Sequence, residues 1–175
     1  MIEMDLEQAL KDCGALRFGE FTLASGEKSD YYVDIKKAST QPEVLGAIAD
    51  EMASRIQGQK PDRIAGVVLG SIPLATALSL RTGIPLLMVR KEKKGHGTSS
   101  TIEGDLEEGM RVLVVEDVIT SAGSVIGAVR QLRESGAVVD TVMAVIDREA
   151  GGREALQAES LRLEALLAAC SLLQR

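Results

Sequence analysis

The stretch of this 175-residue sequence best equipped for chemistry is a pair of carboxylates followed by small and hydroxyl residues. Glu116 and Asp117 come first, and Thr120 to Ser124 follow as Thr-Ser-Ala-Gly-Ser. Small side chains let a backbone approach a phosphate, hydroxyls can donate to it, and carboxylates can hold ribose hydroxyls or hydrated Mg²⁺. The stretch predicts a phosphate-binding turn beside an acidic pair. The alternative is a plain strand-turn-helix corner with capping hydroxyls, which the adjacency of the two features disfavours.

A second feature is a dense run of cations. Arg90, Lys91, Lys93 and Lys94 lie within five residues, and His96, the single histidine of the chain, follows between two glycines. The usual fate of such a run is a solvated charged surface. Because it follows an apolar strand candidate and precedes the phosphate-binding stretch, we interpret it as a loop that closes over an anion.

A third feature is an arginine that follows an apolar segment, in the sequence Asp147-Arg148-Glu149. A planar guanidinium fork suits the two oxygens of a carboxylate. The alternative for Arg148 is a surface ion pair. We retain it as a candidate ligand-binding residue.

These features need elements that bring them together, and the apolar pattern supplies five strand candidates separated by helices. Residues 111–115 are typical of a strand buried on both faces of a parallel sheet. Further core strands are expected at 64–69, 84–89 and 138–146, and two β-like segments of the amino-terminal part at 16–23 and 31–35. Helices are expected at 5–13, 40–56, before Gly83, at 124–135 and within 153–172, where periodicity leaves a short strand at 161–163 open.

Caps and glycines support several of these helix boundaries. Asp5 with Gln8 resembles a capping box, and Thr40 with Glu43 predicts another helix start. Gly136 predicts a left-handed helix end. The expected fold class is a doubly wound α/β domain with a mostly parallel sheet flanked by helices, and all core motifs fall at carboxyl ends of strands, where such sheets bind ligands.

Composition bounds the function classes. Hydrophobic residues make up 45% of the chain, which suits one domain with a substantial core. The net charge is −6 and aromatic residues are 2%, so neither a basic face nor a stacking platform for nucleic acid is expected. Cys13 and Cys170 lack metal-ligand spacing and are expected to be reduced, mostly buried thiols. No signal or membrane segment is apparent, which predicts a soluble, cytoplasmic protein without a membrane partner.

The motifs resemble those of a known family. The segment Val-Val-Glu-Asp-Val-Ile-Thr-Ser-Ala-Gly-Ser, residues 114–124, is similar to the signature of type I phosphoribosyltransferases, which bind 5-phosphoribosyl 1-diphosphate (PRPP). Residues 21–34 resemble the amino-terminal hood of orotate phosphoribosyltransferases, and residues 90–97 resemble that family's catalytic loop. The resemblance implies a single domain, with a hood over residues 1–37 and a core over residues 38–175.

The resemblance also implies an activity and roles for residues. The reaction is Mg²⁺-dependent transfer of ribose 5-phosphate from PRPP to orotate, with Mg²⁺ carried by the diphosphate and no direct metal ligand from the protein. Catalytic roles are implied for Lys94, His96 and Asp117, and orotate binding for Thr120 and Arg148. PRPP binding is implied for Arg90, Lys91, Lys94, His96, Glu116, Asp117, Val118, Ile119, Thr120, Ser121, Ala122, Gly123 and Ser124. A homodimer whose loops complete each other's sites is implied as well.

Two positions depart from the family pattern. Ala24 stands where many bacterial members carry a lysine, so that contact is missing or is supplied by Lys28, Lys36 or Lys37, which fit a solvated face equally well. Gly70 stands where a lysine is common in the loop expected to contact the diphosphate, which leaves backbone contacts there.

Three other functions are weighed against this one. A phosphoribosyltransferase for another base, such as a purine, would share the ribose-phosphate loop. A regulator that senses PRPP without catalysis is disfavoured by the intact basic loop. A Rossmann nucleotide-binding domain is disfavoured because no Gly-x-Gly-x-x-Gly follows the first strand.

Overall fold

The structure, a computed structural model, describes residues 4–91 and 101–174. The described helices are α1 (Leu6–Asp12), α2 (Ile35–Ser39), α3 (Pro42–Ile56), α4 (Ile72–Thr82), α5 (Gly123–Glu134), α6 (Gly152–Ala158) and α7 (Ala169–Leu173). The described strands are β1 (Leu16–Thr22), β2 (Lys28–Val33), β3 (Arg63–Val67), β4 (Leu86–Val89), β5 (Ile102–Glu103), β6 (Val112–Ile119), β7 (Thr141–Asp147) and β8 (Arg162–Ala168).

The strands form a large sheet and a separate hairpin. The large sheet has the order β5-β4-β3-β6-β7-β8, in which β5 is antiparallel to β4 and the other neighbours are parallel. β1 and β2 form the antiparallel hairpin of the hood. The chain winds outward in one direction from β3 and in the other from β6, so the topological switch point lies between these two strands. The expected α/β fold with a mostly parallel sheet is confirmed.

Two apolar layers cover the sheet. Leu113 and Val115 of β6 point into the layer formed with α1 to α4 and α7, whereas Val112 and Val114 point into the layer formed with α5 and α6. This alternation explains why β6 is an unbroken apolar run, since both of its faces are buried. Leu10, Leu16 and Tyr31 join the first layer, so the hood packs on the same core.

The central strand is longer than predicted. We expected it to end at Val115, but β6 continues through the acidic pair to Ile119. Its pairing with β3 ends at Gly66 and Val115, whereas its pairing with β7 continues to Ile119 and Asp147. Glu116 and Asp117 therefore lie inside a strand that has a neighbour on one side only. The gap left on the β3 side is the crevice.

Several predicted boundaries were wrong. β3 ends at Val67, two residues early, and Leu69 is 70% exposed because it lies in the turn before α4. Ile35 opens α2 and does not extend β2. Thr40 ends α2, where its hydroxyl donates to the Lys37 carbonyl, so Gln41 precedes α3 and the predicted Thr40–Glu43 capping box does not form.

The carboxyl-terminal segment forms helix, strand and helix. β8 pairs with β7 along its length, and it is longer than the three residues that the sequence left open. The edge strand β5 was missed, since two residues carry no periodicity. The helix start at Asp5, the end of α4 before Gly83 and the left-handed conformation of Gly136 are as predicted. Within the described residues, no helix is long and apolar enough to span a bilayer.

Candidate active site

Two adjoining clefts open at the carboxyl edge of the sheet. The hood cleft, about 620 Å³, is lined from the hood by Ala24 and Tyr32 and from the core by Thr120 and Arg148. The loop cleft, about 190 Å³, is lined by Val67 at the end of β3, by residues 68–70 after it, by Lys91 and by Ser124. Lys36, Asp117 and Val118 line both clefts. The two clefts therefore form one continuous crevice at the switch point.

The acidic pair lies at the centre of this crevice, and its two members differ in environment. Glu116 is buried, and its Oε1 accepts hydrogen bonds from the Ser71 hydroxyl at 2.5 Å and from the Asp117 amide at 3.0 Å. Asp117 is partly exposed: its Oδ1 accepts from the Val118 amide at 2.8 Å, and its Oδ2 lies 3.7 Å from Lys36 Nζ. Asp117 is thus the more available carboxylate for a ligand.

The environment of Glu116 favours its protonated form. Burial raises the pKa of Glu116 to about 7, and a hydrogen bond with the Asp117 side chain raises it as well, whereas the Ser71 hydroxyl opposes the rise. Glu116 therefore keeps its proton up to near neutral pH. A ligand that donates hydroxyl hydrogen bonds to the pair would favour its ionised form.

The turn after β6 presents an anion site to the crevice. Ala122 has φ of +66° and precedes α5, whose first turn receives no side-chain cap. Uncapped N–H groups and the positive end of a twelve-residue helix attract a phosphate. The side chains of Ile119 and Ala122 are buried in the core, so these two predicted PRPP-binding residues can contribute only backbone groups.

Arg148 connects the core to the hood. It follows β7, its Nη2 donates to Ser29 Oγ at 3.1 Å, and its guanidinium carbon lies 4.3 Å from the centre of the Tyr31 ring. These contacts hold the guanidinium beside the hood cleft. The ion pair of this region belongs instead to Asp147, which is buried and binds Arg153 at 3.1 Å. Within residues 4–91 and 101–174, Arg148 forms no ion pair, which is unlike the surface ion-pair alternative.

The described part of the basic loop is its base. Arg90 pairs with Glu103 of β5, and its backbone N–H donates to the Thr101 carbonyl at 2.8 Å. Lys91 reaches the loop cleft. The predicted catalytic residues Lys94 and His96 lie outside the described residues.

Sequence reasoning missed one residue of the site and left another undecided. Ser71 is fully buried and donates to Glu116. The sequence shows Ser71 only as a hydroxyl residue in a loop after a strand, and it does not indicate that Ser71 contacts Glu116, 45 positions away. Lys36 was one of three alternatives, and the structure places it at the crevice. Cys13 is half-buried and Cys170 is exposed, so the expectation of two mostly buried thiols was wrong for Cys170.

A larger cleft elsewhere has the wrong charge for a phosphate ligand. It measures about 710 Å³ and lies between α1 and the start of α3. Asp5, Asp12 and Glu43 line it, and none of the described residues that line it is a lysine or arginine. An anion would be repelled there.

The oxygen ligands of the crevice suit a metal ion that is bound jointly with a ligand better than one that the protein binds alone. Two adjacent carboxylates are hard oxygen ligands, but no group of three or more metal-binding side chains occurs within residues 4–91 and 101–174. Mg²⁺ keeps several waters and often binds through few carboxylates together with substrate phosphates. The residues present fit an ion that arrives with a phosphorylated ligand.

The sequence matches the family model "Phosphoribosyl transferase domain" over residues 35–160. It is 50% identical over 172 residues to an orotate phosphoribosyltransferase of Methanosarcina acetivorans, an alignment that covers 98% of this chain and 92% of the relative.

Solved structures give the same result. The fold matches the crystal structure of orotate phosphoribosyltransferase from Aeropyrum pernix with a TM-score of 0.86 and 35% identity, covering 97% of this chain and 96% of the other. It also matches the Mycobacterium tuberculosis H37Rv enzyme in complex with PRPP with a TM-score of 0.79 and 32% identity, covering 97% and 99%.

Proposed function

This chain belongs to the orotate phosphoribosyltransferase family, and from that premise we propose how its crevice carries out the reaction. The enzyme transfers the ribose 5-phosphate group of PRPP to orotate, which yields orotidine 5′-monophosphate and diphosphate for pyrimidine synthesis. The observation that carries the assignment of sites is that Asp117, Thr120 and Arg148 line one cleft. One nucleotide can thereby reach all three: its ribose can contact Asp117, its phosphate the turn at Thr120, and the carboxylate of its base Arg148.

The crevice binds PRPP at three points in this proposal. The turn from Thr120 to Ser124 and the uncapped start of α5 hold the 5′-phosphate. Glu116 and Asp117 accept hydrogen bonds from the ribose hydroxyls. Residues 68–70 and Lys91 lie beside the loop cleft, where the diphosphate is held. Fixing both ends of the sugar orients carbon 1 toward the hood cleft.

Arg148 and Thr120 orient orotate in the hood cleft. The Arg148 guanidinium is steadied by Ser29 and Tyr31 and binds the orotate carboxylate through paired N–H donors. A ring nitrogen of orotate forms the bond to carbon 1 and releases its proton to solvent or to the departing diphosphate, while the bond from carbon 1 to diphosphate breaks and its electron pair leaves with diphosphate. Asp117 lies where it can stabilise the positive charge that develops on the ribose.

The leaving diphosphate needs positive charge and protection from water. Lys94 and His96 close over it, together with Arg90 and Lys91, since water would otherwise hydrolyse the activated sugar. When bound, Mg²⁺ neutralises diphosphate charge, and Glu116 and Asp117 would hold it through the ribose and water.

The proposed assembly is a homodimer in which each basic loop completes the partner's site. Glu103 holds Arg90 at the sheet edge, outside both clefts of its own chain, whereas Lys91 lines the loop cleft of its own chain, so only the loop residues after Lys91 are assigned to the partner's site. We also propose a cytoplasmic location, because both cysteines are free thiols and reducing compartments maintain free thiols.

The test follows the absorbance of orotate with PRPP and Mg²⁺, with uracil, hypoxanthine, guanine and adenine as parallel substrates. Of these five bases, we expect only orotate to be consumed, and only when both PRPP and Mg²⁺ are present. Consumption of a purine with orotate unchanged would overturn the role of the hood and Arg148 while leaving the PRPP site intact. Binding of PRPP with no base consumed would favour a regulator.

A further inference from the structure

One lysine of the hood-to-core connection occupies the position from which a cation can reach the diphosphate. Lys36 lies in α2, its side chain is 63% exposed, and its ammonium lies 3.7 Å from Asp117 Oδ2. It lines both the hood cleft and the loop cleft. The two other lysines nearby differ: Lys28 donates to Thr22 Oγ1 at 2.8 Å on the hairpin, and the Lys37 ammonium lies against Gly14.

The absence of a side chain at Gly70 leaves space for the Lys36 side chain, which reaches the loop cleft from α2. A Cβ at this position would overlap Asp117 Oδ2 and would lie 3.3 Å from Lys36 Cε. The loop after β3 therefore has no room for a side chain at Gly70 unless Asp117 shifts. The Lys36 stem crosses this bare backbone, and its charge lies over the loop that borders the diphosphate.

The pairing of Lys36 with Asp117 is suited to exchange. The ammonium is mostly exposed and the contact is long, so the pair contributes little to stability. A diphosphate carries more charge than one carboxylate and would attract the ammonium more strongly. Moving Lys36 to the ligand would also free Asp117 to accept a ribose hydroxyl.

We propose that Lys36 binds the diphosphate of PRPP and supplies the positive charge that a side chain at Gly70 cannot provide. This inference rests on the proposed function. Lys36 and Lys91, which both line the loop cleft, then contact the leaving group. Before PRPP binds, Lys36 pairs with Asp117. Binding of PRPP therefore replaces the ion pair with Asp117 by an ion pair with the diphosphate.

The experiment compares Lys36→Gln with Lys37→Gln, a neighbouring substitution outside both clefts, using the full-length protein and calorimetric titration. PRPP and ribose 5-phosphate serve as ligands, because they differ at carbon 1 by the diphosphate. We expect Lys36→Gln to weaken PRPP binding about tenfold or more and to leave ribose 5-phosphate binding within about twofold. Lys37→Gln should match the wild type for both ligands, and Lys36→Arg should retain most of the PRPP affinity.

Two results would overturn the inference: equal losses for PRPP and ribose 5-phosphate, or indistinguishable behaviour of Lys36→Gln and Lys37→Gln. Thermal unfolding of each variant checks the fold, which the exposure of Lys36 predicts to be unaffected. If the wild type itself binds ribose 5-phosphate but not PRPP, the proposed function fails, and this outcome is distinct from a failure confined to Lys36.

Discussion

At the scale of single residues, the acidic pair shows how one strand creates two different carboxylates. Alternation along β6 points Glu116 inward against Ser71 and leaves Asp117 partly exposed beside Lys36. The carboxylates, the hydroxyl turn and Arg148 were all predictable as residue types at strand ends. The Ser71–Glu116 hydrogen bond was not, because it depends on how α4 approaches β6 in three dimensions.

The raised pKa of Glu116 predicts a pH-dependent stability. The folded state retains the proton up to a pKa of about 7, whereas the unfolded state loses it near 4.5. Between these values the folded state binds more protons, so this residue's contribution to the free energy of unfolding falls as pH rises and is constant above the folded pKa. Glu116→Gln should therefore become more stable relative to wild type between pH 5 and pH 8, by a few kcal/mol at most.

Urea denaturation of both proteins at pH 5 and pH 8 measures this change. A difference in free energy of unfolding between Glu116→Gln and wild type that is the same at both pH values would contradict it. Carbon-13 NMR of the glutamate carboxyl groups identifies the titrating group directly, because its resonance is absent from the variant.

At the scale of elements, α6 holds the start of the phosphate-binding turn in place. Gly152 is buried, and a Cβ there would overlap Ile119 Cγ2 and the Thr120 carbonyl oxygen. Sequence periodicity located the helices and most core strands, because long apolar patterns dominate the signal. It could not locate β5 or the end of β6, because the existence of β5 depends on pairing with β4 and the length of β6 depends on pairing with β7.

Gly152→Ala should destabilise the protein by about 1 to 3 kcal/mol and should weaken binding of ribose 5-phosphate, because the new methyl group displaces Ile119 and Thr120. Gly127→Ala in α5 is the matched control, since its methyl group would meet nothing within 4 Å. That variant should gain about 1 kcal/mol from helix propensity and should bind ribose 5-phosphate normally. Thermal unfolding and titration measure both effects; normal ribose 5-phosphate binding by Gly152→Ala would refute the coupling between α6 and the turn.

At the scale of the whole molecule, the switch point between β3 and β6 gathers segments that are distant in the sequence. The hood, the loop before α4, the turn before α5 and Arg148 meet at one edge because parallel strands end together. This convergence followed from the fold class and could be predicted. The division into a hood over residues 1–37 and a core over residues 38–175 stays a prediction, and so does the homodimer.

Shared sites in a dimer predict complementation between two inactive variants. Lys94→Ala removes a loop residue and Asp117→Asn a core residue, so a mixed dimer contains one site with both residues intact. After random reassembly of an equal mixture, activity should recover to about a quarter of the wild-type value. A mixture of Lys94→Ala with His96→Ala should stay inactive, because both residues lie on one loop. Failure of the first mixture to exceed its parents would exclude loop exchange.

The most direct test of the central claim is a crystal structure with orotidine 5′-monophosphate, which carries phosphate, ribose and base in one stable ligand. We predict the phosphate on the backbone N–H groups at the start of α5, the ribose hydroxyls on Glu116 and Asp117, and the orotate carboxylate on Arg148. Binding in the acidic cleft between α1 and α3, or binding in the crevice with the base directed away from Arg148, would contradict this account.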